Sequence, residues 1–278
     1  MLQLLRELRD QGITSIIISH KLNEVREIAD EITILRDGAT VETLDCKADD
    51  ISENRIIRGM VGRDMAHRFP ERKSNVDRSD LFEVKHWTVY ADSDTAEPKL
   101  NDINLNVARG EVVGIAGLMG AGRTEFCKSV FGRAYGARIQ GELALNGKPL
   151  QLRNPHEAIR NGVAYVTEDR KGDGLMLTQS ILMNLTLSNL NRVGNGTTIN
   201  DRLEHRECEN LRDEFHIKAP NLEEAAGNLS GGNQQKVMLG KWVFAEPDVL
   251  MLDEPTRGID VGAKYEIYGI IEIGRAHV

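Results

Sequence analysis

Apolar and polar positions recur along this chain with two different periods. Leu2, Leu4, Leu5 and Leu8 fall on one helical face between charges, and Gly12 is a natural C-terminal stop. The β-branched run Ile13–Ser19 predicts a buried parallel strand. Next come a short amphipathic helix near 23–30, a strand over 31–35, an Asp37-Gly38 turn and a second strand ending near Leu44. Asp-Gly between two such runs is a hairpin signal. A helix over 52–61 closes this block. From Gly62 to Asp80 the pattern gives way to charges with one proline, which reads as a linker. A second block opens at Leu81, where strands recurring between helices predict a parallel sheet covered on both faces. Between Thr178 and Leu222 the chain turns helical and polar, predicting a helical insertion.

The length of 278 residues corresponds to two domains at roughly 150 residues each. With 40% apolar and 28% charged residues the chain is ordinary for a folded protein and wrong for a disordered one. Acidic residues outnumber basic ones, 43 to 35, for a net charge of -8. That argues against a generic polyanion-binding surface, and hence against nucleic acid as partner, but leaves room for a local phosphate site. No stretch approaches the roughly 20 apolar residues that span a bilayer, and Met1–Asp10 has no signal-peptide core. Cys46, Cys127 and Cys208 lie far apart without a CxxC pair, so free thiols are expected.

The sharpest chemical feature is Val112-Val-Gly-Ile-Ala116, read as an apolar strand, followed by Gly117-Leu118-Met119-Gly120-Ala121-Gly122-Arg123-Thr124. A glycine-rich turn between strand and helix lets successive N–H groups point at phosphate oxygens, and the helix N-terminus adds partial positive charge. This nearly matches the phosphate-loop pattern G-x-x-x-x-G-K-[ST]. Arg123 stands where that pattern has lysine; a planar guanidinium does not substitute for a compact ammonium. Thr124 keeps the hydroxyl suited to Mg²⁺. Val249–Leu252 predicts a buried strand ending in Asp253 and Glu254, the first placed to hold Mg²⁺ and the second to polarise an attacking water. Before it, Asn228-Leu-Ser230-Gly231-Gly232-Asn-Gln234-Gln235-Lys236 opens an amphipathic helix, with Ser230 as N-cap and two glycines baring the first amides.

This trio, in this order, resembles the ATP-binding cassette family: Walker A loop, Leu-Ser-Gly-Gly signature, Walker B strand. The resemblance extends to about Glu272 and implies a P-loop NTPase fold, α/β, with a parallel-sheet core, an antiparallel β subdomain and a helical insertion. It implies that ATP is held by Gly117, Leu118, Met119, Gly120, Ala121, Gly122, Arg123, Thr124 and Glu125, and by Ser230, Gly231, Gly232 and Gln234 toward an opposing cassette. Asp260, in Gly258-Ile-Asp260, matches the loop that contacts that second cassette, in cis or in trans. Glu168, in Val166-Thr-Glu-Asp-Arg170, falls where the family usually has glutamine. With Thr124 and Asp253 it completes the implied Mg²⁺ set, while adding negative charge near the γ-phosphate. Glu254 is the implied catalytic carboxylate and His20, in Ser19-His20-Lys21, the implied switch histidine. Tyr90 is the candidate for stacking on adenine, against the plainer reading of packing on its strand.

The resemblance divides the chain into the end of a first cassette (1–61), a linker (62–80) and a second cassette cut after the Asp260 loop (81–272). The terminal Ile273-Gly-Arg-Ala-His-Val278 is also what one frame of a sequencing adapter encodes, and we read it as an artefact. The segments Gly117–Glu125, Glu168–Lys171 and Asp253–Gly262 are similar to those of bacterial monosaccharide importers of the ribose, galactose and xylose type, whose second cassette commonly carries this arginine and glutamate. The implied partners are membrane permease subunits and, indirectly, an extracytoplasmic sugar-binding protein. The implied place is the cytoplasmic face of the inner membrane, as a peripheral subunit. Each composite site lacks parts in this chain, so little turnover is expected from it alone. Two alternatives are a non-hydrolysing regulatory module and a cassette ATPase outside transport; the zinc cysteines, coiled coils or basic arms usual in the latter are not seen.

Overall fold

The computed structural model describes residues 2–19, 21–36, 38–62 and 77–274. The chain divides into two units, Met1–Glu71 with Ile259–Tyr268, and Arg72–Gly258 with Gly269–Val278. Among the described residues no helix is long and apolar enough to cross a membrane.

In the first unit the elements are α1 (Leu2–Asp10), α2 (Leu22–Ile28), β1 (Glu31–Arg36), β2 (Ala39–Asp45) and α3 (Glu53–Val61). β1 and β2 pair antiparallel around Gly38, whose φ of 78° suits a tight turn. Alternation along the hairpin places Ile32, Ile34 and Leu44 on one face, where they meet Leu22, Ile56 and Ile57 in a small core. Tyr265 packs on that core from α9 (Val261–Gly274). The expected strand Ile13–Ser19 does not form: Ile16 is 92% and Ile18 98% exposed. A parallel strand draws its hydrogen bonds entirely from neighbours, and no strand among the described residues pairs with this run.

The second unit contains β3 (Asp77–Tyr90), β4 (Leu100–Arg109), α4 (Arg123–Val130), β5 (Arg138–Leu145), β6 (Lys148–Leu150), α5 (Pro155–Arg160), β7 (Val163–Val166), α6 (Ile181–Thr186), α7 (Asp201–Glu214), α8 (Gly231–Phe244) and β8 (Val249–Leu252). β3 begins at Asp77 and so takes up the last four residues of the expected linker, whose residues 63–76 lie outside the described ones. An antiparallel sheet runs in the order β4-β3-β5-β6. Phe82 and Val84 face the core, then the register shifts and Trp87 and Val89 face it again. The extra residue that allows this is His86, at φ 52° and held by its backbone N–H to Asn104 Oδ1 and by Nδ1 to Asp102 Oδ1 at 2.8 Å. Opposite the bulge, Gly141 has φ 113°, and a Cβ there would lie 2.7 Å from the carbonyl oxygens of Lys85 and His86, so only glycine fits.

β7 and β8 form the parallel pair, in register from Val163 against Val249 to Val166 against Leu252. The helical insertion is present as α6 and α7, packed with α8. Gly240 lets α8 approach closely; a Cβ there would meet Leu185 at 2.8 Å and Phe215 at 3.0 Å. Trp87 donates its indole N–H to Ser129 Oγ at 2.9 Å, and Ser129 donates to Phe126 O, so β3 grips the buried side of α4.

Candidate functional site

The glycine loop leads into α4 as the spacing requires. Gly120 and Gly122 have φ of 83° and 92°, and Ala121 N–H closes a turn on Leu118 O at 3.1 Å. A Cβ on Gly122 would lie 2.4 Å from Leu100 Cδ2, so the loop enters the helix through a gap that only glycine leaves open. No side chain caps α4, which leaves its first amides and positive dipole end free to meet an anion. Leu118 and Met119 are 85% and 95% exposed at the loop tip. The expected strand Val112–Ala116 does not form; these residues are exposed and pair with no strand among the described ones. The reason is the one given for Ile13–Ser19, an apolar parallel run without ladder partners.

At the far ends of β7 and β8 two carboxylates converge. Asp253 is buried, with its N–H bonded to Val166 O. The Tyr165 hydroxyl lies 3.2 Å from Asp253 Oδ2 and 3.3 Å from Glu168 Oε2, one proton shared between two acceptors. Burial, reinforced by the charges of Asp253 and Glu168, drives the Tyr165 phenol far above its ordinary value, so it remains a donor. Burial raises Glu168 too, but its own backbone amide, the Lys128 charge and the hydroxyls of Thr167 and Tyr165 outweigh it and hold the carboxyl below the usual range. Lys128 Nζ stands 3.9 Å from Glu168 and 3.2 Å from Asp173. The extra negative charge expected from glutamate at this position is therefore met by a lysine of α4. Cys127, one turn along α4 from Thr124, is pushed up to about 12 by burial and then by Asp253 and Glu168, which leaves it an inert thiol.

Arg123 and Glu254, assigned separate roles from sequence, meet: Nη1 lies 3.3 Å from Oε1. Glu254 holds φ 47°, a strained conformation for a non-glycine residue. Both side chains are part exposed (32% and 45%), so this pair is weak and open to exchange with an incoming phosphate. Glu125 pairs with Lys99 at 3.3 Å.

The signature helix differs in detail from its sequence reading. Ser230 sits at the N-cap but makes no cap bond; its Oγ accepts from Asn233 at 3.0 Å. Gln234 lies inside the fold. It is buried, its amide donates to Ala226 O and its carbonyl accepts from Arg170. Gly231 and Gly232 occupy the first turn as expected. Tyr90 ends β3 with one ring face covered by the Arg138 guanidinium, 3.7 Å from the centroid, so that face is taken. Asp260 caps α9, accepting from Ala263 N–H at 2.9 Å. His20 and residues 275–278 lie outside the described residues. Sequence reasoning missed Tyr165, Lys128 and Arg170. Only Lys128 and Arg170 left a trace, as charges beside motif residues.

The oxygen donors suit Mg²⁺. Two carboxylates crowd a single hydroxyl proton, and Thr124 lies one turn from a thiol that feels both charges. Among the described residues no group of three His, Cys, Asp or Glu side chains converges.

A family model described as "ABC transporter" matches residues 100–257. The chain is 57% identical over 272 residues to the L-arabinose transport ATP-binding protein AraG of Geobacillus stearothermophilus, covering 98% of this chain and 53% of that protein. It is 46% identical over 271 residues to the xylose import ATP-binding protein XylG of Thermoanaerobacter pseudethanolicus, covering 98% and 53%. The chain spans about half the length of the curated relatives it matches. Among solved structures, a nucleotide-free ATP-binding cassette from an ABC transporter superposes with a TM-score of 0.59 at 17% identity, covering 71% of this chain and 78% of that one. The cassette MJ0796 bound to ADP and Pi superposes at 0.57 and 18% identity, covering 71% and 83%.

Proposed function

Because the chain belongs to the ABC transporter family, we propose that it is a piece of the ATP-hydrolysing, energy-coupling subunit of a monosaccharide importer. The observation that carries this reading is the convergence at one end of β7 and β8. A glycine loop opens an uncapped helix, Asp253 and Glu168 meet at the Tyr165 hydroxyl, and Glu254 rests on Arg123.

In this reading residues 81–272 belong to a second cassette and 1–61 to the end of a first, joined through 62–80. The amides of Gly117–Thr124 bind the phosphates, and Arg123 leaves Glu254 for a phosphate oxygen, to which a guanidinium bonds in bidentate fashion. Released, Glu254 orients and deprotonates water. Thr124, Asp253 and Glu168 would hold Mg²⁺, which would supply charge neutralisation on the phosphates. Tyr165 keeps the two carboxylates in place. Ser230, Gly231 and Gly232 serve the nucleotide of the opposing cassette, Asp260 contacts that cassette, and His20 acts at the site whose loop belongs to the first. The subunit docks on membrane permease subunits at the cytoplasmic face of the inner membrane. Sugar arrives from an extracytoplasmic binding protein, and the relatives' names favour a pentose.

The test is ATP-driven uptake of labelled L-arabinose or xylose by the full-length tandem protein with its permease in proteoliposomes. Glu254→Gln should abolish uptake while ATP still binds. ATP turnover with no dependence on permease or sugar would refute the coupling. A second reading, a nucleotide module without turnover, is favoured by Arg123 in the lysine position and its pairing with Glu254. Turnover at this site in a full-length protein with a disabled first site would sink it.

A further inference from the structure

Between β7 and α6 the backbone closes a five-residue π-turn over Arg170–Gly174, a rare geometry that survives where neighbours hold it. Asp169 holds it from within, its Oδ1 accepting from Gly172 N–H at 2.9 Å and Lys171 N–H at 3.2 Å. Two glycines let the turn lie close against its neighbours. A Cβ on Gly172 would lie 2.4 Å from Asp169 Oδ2, and one on Gly174 would lie 2.4 Å from Met238 Sδ of α8. The turn is therefore a fixed spacer, and it touches two helices. Toward α4, Lys128 pairs with Asp173 and Glu168. Toward α8, Arg170 Nε donates to Gln234 Oε1 at 3.1 Å and Nη1 to Gln235 Oε1 at 3.5 Å, while Lys241 Nζ donates to Gly174 O at 3.0 Å. Gln235 is buried and keeps its carbonyl toward Arg170, although this leaves its own Nε2 without a partner. Nη2 of Arg170 borders Gly231, where a Cβ would come within 3.3 Å.

We propose that Arg170 is a positioning residue that fixes the first turns of α8 to the π-turn, so that a change at α4 on nucleotide binding reaches the Ser230–Gly232 turn. The guanidinium does this through its planar fork, which addresses two side-chain carbonyls one residue apart in a fixed geometry that a lysine ammonium does not reproduce. The relay is short and contiguous: α4, Lys128, the 168–174 turn, Arg170, α8. Because Ser230–Gly232 is read above as serving the opposing nucleotide, Arg170 links one nucleotide pocket to the other. This last step rests on the proposed nucleotide reading; the hold of Arg170 on α8 does not.

Hydrogen–deuterium exchange on the purified full chain tests both parts. The amide of Gln234 bonds Ser230 O at 2.9 Å and begins the protected part of α8. Without nucleotide, Arg170→Ala should speed exchange at 234–237 by at least tenfold, Arg170→Lys by a smaller factor, and neither should alter α7. Unchanged exchange at 234–237 would overturn the proposal. If Arg170→Ala unfolds the unit, seen as lost protection in α7, the Arg170→Lys comparison decides. With Mg·ADP as probe, wild type should show a change at 234–237 that Arg170→Ala loses while binding ADP within threefold of wild type. A wild-type chain that binds ADP with no change at 234–237, or a variant that keeps the response, overturns the relay. Failure of the wild type to bind ADP counts against the nucleotide reading and removes the relay with it, whereas the nucleotide-free comparison still decides whether Arg170 positions α8.

Discussion

Replacing Tyr165 by phenylalanine removes one hydroxyl from between two carboxylates and nothing else. The ring stays against Phe131, 5.7 Å between centroids, so no cavity forms. A hydrogen bond to a charged partner contributes about 1.5–3 kcal/mol. The two contacts here, at 3.2 and 3.3 Å, are long for O–H···O and share one proton, which places the loss near the lower bound of about 1.5 kcal/mol. Most of it falls on Asp253, which is buried, since Glu168 also accepts from Thr167 and faces Lys128. At about 2–4 °C per kcal/mol for a domain of 150–250 residues, Tyr165→Phe should lower the melting temperature by about 3–6 °C. Differential scanning calorimetry of the purified chain near pH 7.5 reads this directly. An unchanged or raised melting temperature would show that the hydroxyl does not hold the carboxylates, and the positioning role given to it would fall.

Ser129→Ala strands the Trp87 indole N–H inside the protein and should cost about 1–3 kcal/mol, read as a lowered denaturation midpoint. Gly141→Ala forces a β-carbon into backbone at φ 113° and should cost at least about 2 kcal/mol, or prevent folding, checked by circular dichroism and melting. Glu168 has its folded carboxyl held below the ordinary value, so its contribution is present above the unfolded pKa of about 4.3 and is lost as pH falls through the folded value. Glu168→Gln should therefore flatten stability against pH below about 4.5 and leave its slope between pH 6 and 8 unchanged; an unaltered acid limb would contradict this. In the full-length protein with its first site disabled, Glu254→Gln should lower the remaining turnover by about 10²–10⁴-fold with nucleotide affinity retained; comparable turnover would remove Glu254 from the chemistry.

Local signals carried the elements that satisfy their own needs. The β1–β2 hairpin followed from its Asp-Gly turn and alternation, and α4 from the glycines that precede it. The apolar runs Ile13–Ser19 and Val112–Ala116 share the composition of β7 and β8, yet only the latter two find each other. Composition marks a parallel strand; pairing makes one, and pairing lies outside any local pattern. The same limit governs the site. Asp253 and Glu254 were legible from a strand ending in carboxylates, but their partners come from elsewhere: Tyr165 from β7 and Arg123 from the loop, 88 and 131 positions away in sequence. Gln234 shows the same limit. A glutamine beside two glycines suggests an offered amide, and nothing local reveals that Arg170 and Ala226 already occupy both its ends.

The most direct measurement is calorimetric titration of the purified chain with ATP, with Mg²⁺ and with EDTA, for wild type and Thr124→Ala. Wild type should show saturable binding that Mg²⁺ strengthens, and Thr124→Ala should lose the Mg²⁺ enhancement but keep the binding seen in EDTA. Absence of saturable binding, or an equal response to Mg²⁺ in both proteins, would contradict the placement of Mg·ATP at the 117–124 loop.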